Sequence, residues 1–398
     1  VSGNGLYYDP YDIEIDRDPY PIYRRLRDEA PLYYNERLDF WGLSRFADVD
    51  AALKDVKRLS SAKGDILEVV KADPVMPPGV FIHEDPPQHT VHRALVSRAF
   101  TPRRMRMVEE KVRAFCVACL DPFTGADRFD FVTDLGDELP MRAIGMLVGI
   151  PDAEQPKVRD FAQSNLRNQP GRPLPIDKEQ YFDGGMYAEY VNWRKKNSSD
   201  DLITELLAVE FEDVDGTVRR LTTDEIVTFL TVITGAGVET TGRLFGWMGK
   251  VLAEHPGQRR ELAADRSLIP NAIEELLRYE PPGPHVARYV TEDVEYHGTK
   301  VPAGSAMLLM VASANHDERR FTDPDRYDIH RDIGTHVTFG HGAHYCLGAA
   351  LARMEGRVAL DEVLNRFPEW EIDMTGARRS PTTTVRGWDT MPAIIDQR

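Results

Sequence analysis

Between residues 86 and 280 apolar side chains recur at three- and four-residue spacing, the period of helices that bury one face. The pattern predicts helices over Pro102–Leu120, Asp134–Val148, Met186–Lys195, Asp200–Glu210, Thr222–Ala253 and Asn271–Arg278. Strand-like runs fill Leu32–Leu43 and Val286–Leu309, the second with a turn at His297–Gly298, and a last hairpin is expected over Thr382–Ile395. Short Pro-rich stretches at Asp73–Pro78, Pro170–Pro175 and Pro281–Pro284 read as loops that end helices. There is no repeat and no interdomain linker. The expectation is one domain over residues 1–398, mainly α, with its β-containing portion at about 30–60 and 286–310.

Composition narrows the function classes. A chain of 398 residues, 42% of them hydrophobic, buries a large core without disulfide or metal staples. Its longest apolar runs, Ala143–Ile150 and Phe229–Val238, fall short of the roughly 18–20 residues a membrane span needs. The first residues show neither a basic nor an apolar leader region, so no signal peptide is expected. A net charge of −16 opposes binding to phosphate backbones, which makes nucleic acid an unsuitable partner. Three cysteines, Cys116, Cys119 and Cys346, make no disulfide framework and suit a reducing cytoplasm. Cys116 and Cys119 lie on a predicted helix and read as core packing.

The densest chemical signal is H-V-T-F-G-H-G-A-H-Y-C-L-G at 336–348. His336, His341, His344 and Cys346 could bind zinc, although their spacing matches no common zinc pattern. Alternatively, a glycine-rich loop presents the Cys346 thiolate at the start of a helix over Leu347–Leu360, and its glycines let a large flat ligand approach. A surface loop holding an inert cysteine is the bland reading.

A second signal is the helix opened by Thr222 and Glu225, a capping box, which places Ile233, Ala236, Gly237 and Thr240 on one face. Its small residues leave room for a bulky group at the helix midpoint, and a glycine-induced kink is expected there. Glu275 and Arg278 share a helix face, as do His89 and Arg93, the latter pair suited to an anion.

In this order and spacing, F-G-H-G-A-H-Y-C-L-G (339–348), A-G-V-E-T-T (236–241) and E-L-L-R (275–278) resemble the bacterial cytochrome P-450 family of heme-thiolate monooxygenases. Weaker matches follow at S-A-N-H-D (313–317), F-T-D-P-D-R-Y-D-I-H-R (321–331) and T-V-R-G (384–387), and the likeness spans about Asp9 to Pro392. His316 stands where the family usually has Arg.

The resemblance implies a triangular helical prism whose long central helix crosses the distal face of heme b. Cys346 would be the axial thiolate and the single metal ligand, within a loop that includes Phe339, Gly340 and Gly348. His89, Arg93, Arg288 and His344 would hold the propionates, and Ala236 and Gly237 would lie over the distal face with the helical bonds loosened near Thr240. Glu239 and Thr240 would be the acid–alcohol pair that guides protons toward dioxygen. Glu275 and Arg278, with Arg331, would be a structural pair.

O2 would be the co-substrate. NAD(P)H electrons would come through a ferredoxin reductase and a ferredoxin, the latter docking on the cluster Arg98, Arg103, Arg104, Arg106, Lys111 and Arg113 of a monomeric enzyme. A pocket formed by Phe81, Phe229, Ile233, Ala236, His285 and Val286, the apolar loop Ile66–Phe81 and the stretch Phe161–Gln180 would take a steroid, terpenoid or fatty-acyl compound. A mobile lid is expected over Asn168–Gly185. The rival classes are a non-catalytic heme sensor or carrier and a zinc hydrolase.

Overall fold

Thr222 starts the longest element. Its hydroxyl accepts the Glu225 N–H at 3.2 Å while the Glu225 carboxylate accepts the Thr222 N–H at 2.7 Å. The helix that follows, Thr223–Glu254, has 32 residues and a length of about 48 Å. It is apolar on nearly every side, so it must be surrounded. Packed on it are Phe131–Gly136, Leu139–Val148, Gln155–Ser164, Tyr187–Arg194, Ile269–Tyr279 and Ala349–Arg366. At one crossing glycine lies on glycine: a Cβ on Gly242 would meet the Gly136 carbonyl oxygen at 2.9 Å, so backbone lies on backbone there. These positions are seen in a computed structural model that describes residues 5–164, 167–178, 184–382 and 384–395.

Most predicted helices agree with the structure to within a few residues; Pro102–Leu120 coincides. Asp134–Val148 does not. The chain forms a π-helical turn over Phe131–Gly136, capped by Asp130, and a separate helix Leu139–Val148 whose second residue is Pro140. Proline donates no N–H, which favours a fresh start there over continuation.

The five-stranded sheet runs in the order Leu32–Asn35, Phe40–Leu43, Ala306–Leu309, Val286–Val290, Leu59–Ser60. Phe40–Leu43 and Ala306–Leu309 are parallel and the other pairs antiparallel. His297 and Gly298, at φ 52° and 73°, turn a hairpin between Val294–Tyr296 and Thr299–Val301. The expected hairpin over Thr382–Ile395 is not formed, residue 383 lying outside the described residues. Trp388–Thr390 pairs with Arg378–Arg379, whereas Pro392–Ile395 lies between Trp370–Ile372 and Arg128–Asp130. Met391 alone separates the two strands, too short a link for a reversal, and its N–H is held by the Asp130 carboxylate at 2.9 Å.

A buried ionic knot ties helix Ile269–Tyr279 to the following segment. Arg278 donates to both Glu275 oxygens at 2.7 and 2.8 Å, both side chains being 0% exposed. Arg278 also donates to the Asn315 and Pro324 carbonyls, while Arg331 and the Asp328 N–H add bonds to Glu275. His316 exchanges hydrogen bonds with Asp325 and the Tyr279 carbonyl and stacks on Tyr20 at 4.1 Å. Cys116 and Cys119 pack in the core, where burial pushes both thiols up, Cys119 to about 11.

Arg278→Ala leaves Glu275 charged with its main partner gone, and should cost about 3–5 kcal/mol in urea unfolding, or prevent soluble expression. Glu355, on Ala349–Arg366, is buried and its carboxyl is pushed up to about 8 by desolvation. The folded chain therefore keeps a proton that the unfolded chain releases, so stability falls as pH rises from about 5 toward 8. Glu355→Gln should flatten that slope, read from urea midpoints across the range.

Candidate active site

The glycine-rich loop is shaped by its own backbone. The Cys346 N–H bonds the Phe339 carbonyl at 2.7 Å, the Gly340 N–H bonds that of Val337 at 2.9 Å, and Gly340 and Gly342 take φ 67° and 74°. A Cβ on Gly342 would also lie 3.2 Å from the Leu53 carbonyl of helix Phe46–Lys54, so no larger residue fits. The three histidines point to different partners. His341 pairs with Asp50, His336 bonds Glu274 at 3.1 Å, and the His344 ring lies 4.1 Å from that of His89. Among the described residues no three His, Cys, Asp or Glu side chains converge on a metal position. The zinc reading of His336, His341, His344 and Cys346 is thereby overturned: His336 and His341 are spent on fastening the loop, and His344 turns to His89 instead.

Cys346 sits deep in the fold with its side chain open to a cavity of about 230 Å³. Burial pushes the thiol up, while the N–H groups of Gly348 and Ala349 and the charges of Arg93 and Arg353 pull it down. Leu347, Gly348, Leu351 and Ala352 continue that wall, with Phe339 beside them. Across the cavity stands one face of the central helix, with Ile233, Ala236, Gly237 and Thr240. This helix is continuous through Thr240. Gly237 serves close contact: a Cβ there would lie 3.3 Å from Ile144.

At one edge the sheet and two helices bring together Arg93, Arg288, His89 and His344. Period two along Val286–Val290 puts Val286 and Arg288 on the same face, and both line the cavity. Arg288 is buried and donates to the Ala287 carbonyl at 2.8 Å, with no salt bridge among the described residues, and burial depresses its basicity. Burial and neighbouring Arg288 and His89 push His344 down to about 3, and His89 also falls, mainly through burial. The Nε2 atoms of both histidines are buried without partners. Asp65, whose charge acts on Arg288, is engaged by His83 at 2.8 Å. Arg93 donates to the Tyr345 carbonyl at 2.5 Å, and the donor capacity left in this group suits an anionic ligand with two or more acceptor oxygens. An apolar slot, an open thiol and this donor set fit heme and its two propionates.

Thr240 and Glu239 face different surroundings. The Thr240 hydroxyl donates to the Ala236 carbonyl at 2.9 Å beside the cavity. Glu239 is buried away from it, clamped by Arg243, which also reaches Asp389 at 3.0 Å and the Trp388 carbonyl; Glu239 Oε2 is unpartnered. Sequence reasoning missed Arg243, although its i, i+4 spacing from Glu239 was the signal. It also missed Glu355, which lines the cavity and gives no sign in the pattern.

A second cavity of about 280 Å³ shares Val232, Ala236, Thr240 and Val286 with the first and extends to His285 and Phe161. Phe81, Ile233, Ala236, His285 and Val286 line one or other cavity. Phe229 does not: it is fully buried behind the wall, edge-on to Phe81 at 5.5 Å. The loop Ile66–Phe81 is likewise corrected. Leu67 and Val70 pack under the sheet and Val75 is 82% exposed, leaving Ile66 and Phe81 at the cavities. The expected lid over Asn168–Gly185 falls partly on 179–183, outside the described residues. In the cationic cluster, Arg104 pairs with Asp200 and Arg113 with Asp361 and Glu362, while Arg98, Arg103, Arg106 and Lys111 are exposed.

A sequence model of the cytochrome P-450 family matches residues 177–388. Cytochrome P-450 123 of Mycobacterium tuberculosis is 40% identical, with 100% of this chain and 99% of the relative covered. The vitamin D(3) 25-hydroxylase of Pseudonocardia autotrophica is 35% identical over 96% of this chain and 95% of its own. Among solved structures, a mutant of cytochrome P-450 EryK in complex with erythromycin B superimposes with a TM-score of 0.85 at 30% identity, covering 96% of each chain. Slot, thiol, donor set and relatives agree, and the chain belongs to the cytochrome P-450 family of heme-thiolate monooxygenases.

Proposed function

We propose that Cys346 is the axial thiolate of heme b, that Arg93, Arg288, His89 and His344 hold its propionates, and that the enzyme hydroxylates a lipophilic compound over the face formed by Ala236, Gly237 and Thr240. The observation that carries this reading is the placement of an open thiol opposite Thr240 across an apolar slot rimmed by unpaired donors. When bound, the heme supplies reductive activation of O2, with one oxygen atom inserted into a C–H bond and the other released as water. The N–H groups of Gly348 and Ala349 stabilise the thiolate, and neutral His89 and His344 donate hydrogen bonds to carboxylates without adding buried charge.

Thr240 and Glu239 are the proton carriers in this reading. The Thr240 hydroxyl can turn from the Ala236 carbonyl toward a ligand in the cavity, donating its own proton and accepting another. Glu239 resupplies it from the other side of the helix by rotating out of the Arg243 clamp. Asp389 connects that clamp to the surface through Arg167, at 3.2 Å. Asp137, pushed up to about 6 chiefly by burial, lies within the field of the same clamp and can load protons near neutral pH.

The electron source is NAD(P)H through a ferredoxin reductase and an acidic ferredoxin. Exposed Arg98, Arg103, Arg106 and Lys111 support docking on helix Pro102–Leu120, which packs against the helix that follows Cys346. For the substrate, the support is the cavity wall. Phe81, Ile82, Val232, Ile233 and Val286 give a mainly apolar lining that favours a steroid, terpenoid or fatty-acyl compound, with neutral His285 as a hydrogen-bonding group. The relatives, which include a vitamin D(3) 25-hydroxylase and a complex with erythromycin B, leave that choice to the lining.

Cys346→His should abolish the thiolate-type absorption band of the reduced CO complex while the protein still folds; an unchanged band would remove the assignment. Reduction by an acidic ferredoxin should slow with rising salt, and Arg103→Glu with Arg106→Glu should lower the low-salt rate by about tenfold or more in stopped-flow measurements.

A further inference from the structure

A third cavity, about 370 Å³, lies outside the active-site cavities and is the largest of the three. Its wall comes from the N-terminal segment around Tyr11 and Asp16, from Asn168–Gly171 and from the chain around Arg379–Thr382. His285 lines both this cavity and the one beside Thr240, and is the one residue shared between them among the described residues. The compartments therefore meet at this residue. Nothing in the mechanism uses the outer one.

The outer wall is rich in unspent hydrogen-bonding capacity. Arg379 directs Nη2 to the Asp16 carboxylate at 2.8 Å, yet its Nε is buried without a partner and its Nη1 makes no hydrogen bond among the described residues. Its guanidinium lies over the rings of Trp388 and Trp247, at 4.8 and 5.3 Å, which fix its plane. Next to it Ser380 is buried with a hydroxyl that has no partner. Asn168 Oδ1 and His285 Nδ1 are also unpartnered. Buried donors are not left unmet without cost, and a rigid arginine beside a free hydroxyl suits a ligand oxygen.

Resting on the monooxygenase reading above, we propose that this outer compartment is part of the substrate site. The substrate is elongated: its apolar body lies beneath the central helix, it passes His285, and it ends in an oxygen-bearing head that accepts hydrogen bonds from Arg379 and Ser380. A carboxylate and a neutral ester share this chemistry, and the carboxylate makes fuller use of the cationic donor. The head chooses among lipophiles of similar body and holds the far end so that one carbon lies over the cofactor.

The test uses imidazoles that ligate heme iron at one end: ω-(imidazolyl)alkanoic acids of increasing chain length, their methyl esters, and chain-matched N-alkylimidazoles without a head. Dissociation constants on the heme-loaded enzyme are read from the absorption shift on nitrogen ligation and, in parallel, by calorimetry. At one chain length the acid should bind about tenfold or more tightly than the headless compound, with the ester between them. Arg379→Gln should close this gap and Ser380→Ala should narrow it. Ser380→Ala disturbs no ion pair and carries the comparison if Arg379→Gln does not fold. Acids that bind no tighter than headless imidazoles at every length, or a gap unchanged in the variants, would overturn the proposal. Head-dependent binding seen by calorimetry without any absorption shift would show an acid site that does not reach the cofactor and would overturn the elongated pose, whereas loss of the thiolate-type band of the reduced CO complex would count against the heme-thiolate reading instead.

Discussion

Glu275 holds the architecture of the site in place. A carboxylate removed from water must be fully matched, and this one takes two arginines and a backbone N–H. The consequences run outward. Arg278 fixes the Asn315 carbonyl, the Asn315 side chain bonds the Val337 N–H and the Thr338 hydroxyl, and Thr338 returns to the Leu277 carbonyl. Through these bonds the helix Ile269–Tyr279 sets where the cysteine loop begins. The loop then needs only Gly340, Gly342 and the His341–Asp50 contact to aim Cys346 at the central helix.

The charge pattern of the slot follows from the same economy of burial. The molecule carries a net charge of −16, yet the slot edge gathers two arginines and two histidines while Asp65 beside them is committed to His83. Alone, such a grouping opposes folding, and burial answers by keeping the histidines neutral. An anionic ligand turns the liability into a binding site. Binding and stability are thus linked, since a ligand that meets these donors stabilises only the folded chain.

The central helix works on two sides at once. Successive residues point about 100° apart, so Thr240 reaches the cavity while Glu239 reaches Arg243, which bonds the Trp388 carbonyl. A proton route across the helix then requires no gap in it, only side chains on neighbouring faces. This agrees with an unbroken helix whose glycines serve close packing, Gly237 on Ile144 and Gly242 on Gly136.

Much of this was legible in the sequence because it rests on local rules. The Thr222–Glu225 capping box announced the central helix, the period of apolar residues announced Pro102–Leu120, and His297–Gly298 announced a hairpin. The spacing around Cys346 marked the loop and its family. What the sequence could not settle depended on partners distant along the chain. Whether His336 and His341 were ligands or fasteners was decided by Glu274 and Asp50, and whether Phe229 was wall or support by Phe81 in front of it. The strand Pro392–Ile395 chose Arg128–Asp130 over its neighbour because Met391 allows no reversal. The outer compartment joins residues near 11, 168, 285 and 380, which no local pattern relates. Periodicity and capping are set by bonds within a few residues, so sequence determines them; the environment of a buried polar group is set by whatever folds against it, and only the tertiary structure decides that.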